Sequence, residues 1–388
     1  MIFSRTGFLF LLGVAFPLVA RADVPKADAQ GLASVLQSFI EDQLAAGLVT
    51  VVANGSKVLD VTCVGHEDVD AKRPMKPDSM FWIASMSKAI TAAGVMALVD
   101  DGKLKLDDPV AKYLPEFKDQ RVVAEVSPQK TILVPPLHPI TLQDCLCHTA
   151  GLPFKSIIEQ PTLDLLPLRL AAISHAAAPL MHQPDSKYQY SNAGINIAGR
   201  IIEIVSGQDY ESFLKQRIFA PLGMNDTTSF PSEEQVSRLA AVYRPNNEKT
   251  ALEMTQIGQL KYPLTSKDRQ PMPGGGFFST AGDVTKFCQM LLNGGTLGGK
   301  RVLSEASARA MHERQTPTEL SEAYGLGLKL EADGRYGHGG AQGTNMTVDP
   351  ARGLVMIYMI QTAGQRTPRA KEILPTFHRA AAAQYSKH

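Results

Sequence analysis

The stretch Phe81-Trp-Ile-Ala-Ser85-Met-Ser-Lys88 runs straight into Ala89 to Val99, an almost wholly apolar helical segment. Ser85 and Lys88 stand three residues apart, one helical turn, so they share a face. A lysine in such a stretch is costly unless it is used, because desolvation disfavours its charged form and pulls its pKa down. A lysine of lowered pKa beside a hydroxyl is one way to make a serine nucleophilic. The competing reading makes Ser85 a helix N-cap and Lys88 a snorkelling surface residue. Ser212-Phe-Leu-Lys215 repeats the Ser-x-x-Lys spacing on the polar side of an amphipathic helix. Ser85 differs in opening a helix with almost no polar face, where the positive helix end favours charge developing on a reacting oxygen.

Around this segment the chain alternates between recognisable elements. Ala27 to Ala46 carries Leu32, Val35, Leu36, Phe39, Ile40 and Leu44 at helical spacing. Leu48 to Ala53 and Lys57 to Val64 read as strands joined at Asn54-Gly55, a strong hairpin signal. The Ser85 helix stops near Asp101-Gly102. From about 103 to 272 the sequence reads as helical and loop-rich, with a connecting loop at Val134-Pro-Pro-Leu-His-Pro139 and helices at Leu163 to Ala178 and Ala193 to Val205. Strands return at Gly325 to Leu330, Thr344 to Val348 and Leu354 to Ile360, before a last helix that runs to about Ala383. The expected fold is an α/β (α+β) core, 23–102 with 273–388. Its antiparallel sheet takes strands from both ends of the chain and is flanked by helices, with an all-α lobe, 103–272, inserted. A site in the cleft between core and lobe follows.

Composition narrows the function classes. The 388 residues hold 39 basic and 38 acidic side chains, 44% hydrophobic and 20% charged, the balance of a globular protein without an electrostatic grip on nucleic acid. Small or neutral partners fit better. Arg5, the apolar run Gly7 to Ala20 and Ala20-Arg21-Ala22 read as a signal peptide, 1–22, cleaved after Ala22. That predicts an exported, periplasmic or secreted protein with no membrane span after cleavage. Cys145-x-Cys147-His148 suggests a metal site, but it lacks a second ligand pair, so buried thiols are expected instead.

Two further clusters carry chemistry. Tyr190-Ser191-Asn192 precedes a helix; a tyrosine near a lysine can lose its proton more easily, and an asparagine amide can bind a carbonyl. A polar capping turn explains the same residues. His338-Gly339-Gly340-Ala341 sets paired glycines where a backbone or ligand can approach closely, and a plain glycine turn is the equal alternative.

In this order, Ser-x-x-Lys, Tyr-x-Asn and a residue before two small ones, the motifs resemble those of the serine β-lactamase and penicillin-binding-protein superfamily. Tyr-x-Asn makes the class C branch, with its esterases and D-Ala-D-Ala carboxypeptidases, the nearest match. Leu142 to Pro153, Pro221 to Met224, Gly274 to Asp283 and Tyr324 to Gly327 also look like that branch, and the resemblance covers roughly Gln30 to Ala383. It implies an acyl-enzyme mechanism with Ser85 as nucleophile and Lys88 and Tyr190 as proton carriers. It implies an oxyanion hole of the Ser85 and Ala341 N–H groups, substrate binding by Asn192, and no metal or organic cofactor. His338-Gly339-Gly340 departs from the Lys-Thr-Gly of efficient β-lactamases, since neutral His338 and bare Gly339 remove groups that receive a substrate carboxylate. Esterases of the branch commonly carry Trp-Gly-Gly, which points towards ester substrates. The His-Thr-Gly of some carboxypeptidases keeps peptidase or weak β-lactamase action open. A binding protein that keeps the fold without turnover is the third possibility. Oligomeric state is not readable from the sequence.

Overall fold

The computed structural model describes residues 31–156, 158–364 and 367–386. The signal-peptide reading, 1–22, lies outside them. One seven-stranded antiparallel sheet organises the chain: β1 (Gly47–Asn54), β2 (Val58–Asp68), β3 (Arg73–Pro74), β4 (Lys329–Leu330), β5 (Tyr336–Gly339), β6 (Asn345–Asp349) and β7 (Leu354–Ile360). The spatial order β4-β5-β6-β7-β1-β2-β3 joins the two ends of the sequence at the β7–β1 pair, where Leu48 faces Ile360 and Asn54 faces Leu354. The β1–β2 hairpin turns as its sequence requires. Asn54 Oδ1 accepts the N–H groups of Ser56 and Lys57, both at 2.9 Å, in an Asx-type turn.

Both faces of the sheet are covered, so β1 reads as a continuous apolar run rather than an alternating one. Val49, Val51, Ile357, Met359 and Met346 pack with the helices Ser87–Asp100 and Ala281–Leu292. Leu48, Val52, Met356 and Tyr358 pack on the other side with Leu32–Glu41 and Ile373–Tyr385. Ser87–Asp100 is buried on all sides, which explains why its sequence has no polar face.

The insertion is less helical than its sequence suggests. Residues 103–272 carry two hairpins, Val122–Val126 with Thr131–Val134 and Val242–Pro245 with Leu252–Thr255, so the expected all-α lobe is corrected to a mixed one. The short strands were hidden because their side chains are largely exposed and mixed with polar residues, leaving no clean period of two. The helix expected over Leu163 to Ala178 is confined to Leu168–Ala176 and begins directly after Pro167. One additional pair matters for the site: Met80–Trp82 pairs with Phe278–Thr280, Trp82 opposite Phe278. This clasp joins the segment before Ser85 to the segment after Gly274.

Candidate active site

Ser85 lies in a tight 3-10 turn, Ala84–Met86, that leads into the Ser87–Asp100 helix. Ala84, directly before it, takes φ 46°, a left-handed conformation that costs an L-residue about 1–2 kcal/mol. Neighbours hold the turn in place. Ile83 N–H donates to Phe277 O at 3.0 Å, and Phe277 N–H donates to the Ser87 hydroxyl at 3.1 Å. Trp82 Nε1 donates to Gly275 O at 2.7 Å.

Lys88 is fully buried, with three oxygens around its Nζ: Ser85 Oγ at 3.2 Å, Asn192 Oδ1 at 2.7 Å and Gly274 O at 2.5 Å. Burial pushes its pKa down from 10.5 to about 7. An ammonium has three N–H donors for three acceptors. A neutral amine has two, and its lone pair can then accept the Ser85 hydroxyl proton. The cage serves both protonation states, as a proton carrier requires. Gly274 is fixed by Asn196, whose Oδ1 accepts its N–H at 2.9 Å. A Cβ at Gly274 would lie 3.0 Å from Asn192 Oδ1, so the backbone reaches Lys88 only because no side chain is there.

Tyr190 covers this group, with Lys88 Nζ 4.7 Å from its ring centroid and its phenol beside Ser85, whose hydroxyl favours the phenolate. Its titration differs from the expectation that a nearby lysine eases its deprotonation. Burial pushes the phenol up to about 12, and the Ser85 hydroxyl opposes this only in part. The phenol therefore rests protonated, and Lys88 is the group poised to titrate near neutral pH.

His338 sits at the end of β5, buried, with both ring nitrogens occupied. Nδ1 lies 2.7 Å from Gly339 O, which can only accept, so Nδ1 carries the proton. Nε2 then accepts from the Tyr324 hydroxyl at 2.9 Å. Burial, reinforced by Lys88, pushes the imidazole down to about 3. The ring is neutral and has no N–H left for a substrate carboxylate. Gly339 beside it is open: an added Cβ would meet nothing closer than Thr344 O at 3.6 Å. Gly340 is the opposite case, since a Cβ there would lie 2.1 Å from Thr344 Oγ1 and 2.6 Å from Ile83 O. Only glycine lets the end of β5 approach the residue two before Ser85. Ala341 follows on the exposed turn to β6, and neither its N–H nor that of Ser85 donates a hydrogen bond among the described residues.

The structure thus brings Ser85, Lys88, Tyr190 and Asn192 into one cluster and sets the His338–Ala341 strand end against the Ser85 turn. A Beta-lactamase family model matches residues 32–377. The chain belongs to the beta-lactamase family. Penicillin-binding protein 4 of Amycolatopsis lactamdurans is 32% identical, over 72% of this chain and 71% of its own. Esterase EstB of Burkholderia gladioli is 27% identical, over 87% of this chain and 92% of its own. The solved structure of EstCE1, described as a hydrolase with promiscuous acyltransferase activity, superposes with a TM-score of 0.76 at 23% identity, covering 90% of this chain and 97% of that one. That likeness establishes the fold. The family and its neighbours are serine hydrolases of the β-lactamase fold.

The roles of Gly274, Tyr324 and His148 escaped the sequence, although the stretches that hold them carry the family resemblance. Gly274 acts through a carbonyl, which no side-chain motif can report. Tyr324 stands 14 residues before His338, and only the fold brings its hydroxyl onto the imidazole. His148 closes the Cys145-x-Cys147-His148 run, where the sequence predicts buried thiols rather than a metal site. Both cysteines are free and buried, and burial raises the Cys147 thiol to about 12. Among the described residues no group of three or more His, Cys, Asp or Glu is placed to hold a metal ion. Nor is any helix among them long and apolar enough to cross a membrane.

Proposed function

We propose that the chain hydrolyses small, uncharged carboxylic esters through an acyl-Ser85 intermediate. Neutral Lys88 takes the Ser85 proton as Oγ attacks the ester carbonyl, and the N–H groups of Ser85 and Ala341 receive the oxyanion. Collapse breaks the C–O bond to the alcohol, which leaves with a proton passed from Lys88 through the Tyr190 hydroxyl. Water then attacks the acyl-enzyme, its proton returns along the same relay, and the carboxylic acid departs with Ser85 restored. Asn192 both fixes Lys88 and offers its amide to the substrate carbonyl. The arginine-containing and apolar N-terminus makes this an exported enzyme in our reading.

The observation that carries the choice of ester is the locked, neutral His338 beside bare Gly339. A peptide C-terminus or a β-lactam brings a carboxylate, and these two positions give it neither cation nor hydroxyl. The esterase name of one full-length relative supports the same reading. The test compares wild type with Ser85→Ala on p-nitrophenyl butyrate, nitrocefin and a D-Ala-D-Ala peptide. Ester turnover that disappears in Ser85→Ala and exceeds turnover of the other two is expected. Turnover that survives the substitution, or a preference for the peptide or the lactam, overturns the proposal.

A further inference from the structure

His148 is the buried titratable group that this mechanism leaves unused, and its contacts are organised around Tyr190. The residue ends the Leu142–Cys147 helix in a left-handed conformation, φ 67° and ψ 33°, that a side chain pays to adopt. That conformation turns both its carbonyl and its ring towards one neighbouring segment. His148 O accepts the N–H of Gln189 at 2.8 Å, and His148 Nδ1 accepts the N–H of Ser191 at 3.3 Å. One residue therefore fastens the chain on both sides of Tyr190. The ring also lies against the phenol ring itself, with centroids 4.6 Å apart. Tyr324 and Tyr188 flank the imidazole, at 4.9 and 5.8 Å.

We propose that His148 is a positioning residue: a permanently neutral imidazole that holds Tyr190 over Lys88 and Ser85. Because Nδ1 accepts, the ring proton sits on Nε2, which is buried without a hydrogen-bond partner among the described residues. Protonating Nδ1 would break the bond to Ser191 and place a second cation near Lys88. Every titratable neighbour agrees with neutrality: Lys88 on its helix, His338 on β5, and the phenols of Tyr188, Tyr190 and Tyr324, which rest uncharged. Burial and the two basic neighbours hold the imidazole well below its usual range. An unpartnered buried N–H is a standing cost, and a fold that tolerates it gains the anchored tyrosine.

The kinetic arm of the test rests on the acyl-Ser85 reading, and the spectroscopic arm does not. His148→Phe keeps a ring against Tyr190 and deletes the acceptor, whereas His148→Asn keeps an acceptor and deletes the ring. Loss of one neutral hydrogen bond is expected to lower kcat on p-nitrophenyl butyrate about tenfold in His148→Phe. KM should move less than about twofold, since the ring does not touch substrate, and His148→Asn should regain part of the loss. A purely structural residue would instead lower the melting temperature in both variants without this split. Unchanged kcat in His148→Phe, or equal losses in both variants, overturns the proposal. Independently, 15N spectra of histidine-labelled wild type should show one imidazole with its proton on Nε2 that does not titrate between pH 5 and 8. Titration in that range, or a proton on Nδ1, overturns it as well. An inactive wild type would remove the ester reading and leave this second arm to decide.

Discussion

At the scale of single residues the site depends on a lysine that the fold can barely hold. Lys88 is useful because burial brings its pKa to about 7, and the same burial opposes folding. In the unfolded chain the group keeps its ordinary value of 10.5, so between pH 7 and 10.5 the unfolded state binds more protons. Stability from this group therefore rises with pH across that window, and the full cost is present below pH 7. Replacing it with methionine removes the buried charge but strands the Gly274 carbonyl and Asn192 Oδ1, so the gain is partial. Lys88→Met is expected to be more stable than wild type at pH 6 by up to a few kcal/mol, with the difference shrinking towards pH 10. Urea unfolding at the two pH values checks this; a difference that grows with pH would contradict the account. Activity runs the other way, since Lys88 must be neutral to take the Ser85 proton. In wild type kcat/KM should fall about tenfold per pH unit on an acidic limb centred near 7, and Lys88→Met should lose the limb with the activity.

Among elements, the contact that matters most is the end of β5 against the Ser85 turn. The sequence marked Gly339-Gly340 as paired glycines, and the structure separates them. Gly340→Ala would drive a methyl into Thr344 Oγ1 and the Ile83 carbonyl, so β5 must move off the turn. It is expected to cost about 1–3 kcal/mol and most of the activity, because the Ala341 N–H moves with the strand. Gly339→Thr adds its side chain to open space and should leave the unfolding free energy within about 0.5 kcal/mol of wild type. Thermal melts and ester assays of the two variants separate them, and equal damage from both would show that the approach at Gly340 is not the constraint. What the sequence made legible here follows the same division. Ser85, Lys88, Tyr190 and Asn192 announce themselves through side-chain type and spacing, and the β1–β2 hairpin through Asn54-Gly55. The Gly274 carbonyl, the Tyr324–His338 bond and the raised Tyr190 phenol depend on how the folded segments meet, and no local pattern encodes that.

At the scale of the whole molecule, the antiparallel sheet built from both chain ends was legible because β1 and β7 are long, strongly apolar runs and Asn54-Gly55 marks the turn from β1 into β2. The insertion was less so, because its hairpins are short, and long-range fastenings rather than periodicity fix its loops. The clearest fastening is Arg269 with Asp164, both side chains 1% exposed and 2.7 Å apart. Arg269 also donates to Ser229 O at 2.9 Å and Leu264 O at 2.8 Å, while Asp164 accepts the Lys261 N–H at 2.8 Å. Three stretches of the insertion, around Asp164, around Ser229 and from Lys261 to Arg269, thus meet at one buried pair, on the approach to Met272 and Gly274. Removing one partner leaves the other charge in a dry interior, which typically costs 3–5 kcal/mol, roughly. Removing both leaves no orphan charge. Arg269→Met alone is therefore expected to destabilise the protein by about 3–5 kcal/mol, and Arg269→Met with Asp164→Asn by clearly less. Equilibrium urea unfolding of the two single variants and the double completes the cycle. Additive losses would mean that the pair is not coupled and that the loops are held by backbone contacts alone. Coupling with a parallel fall in ester turnover would tie this clamp to the carbonyl that holds Lys88, since the chain between them has only a few residues in which to absorb a shift.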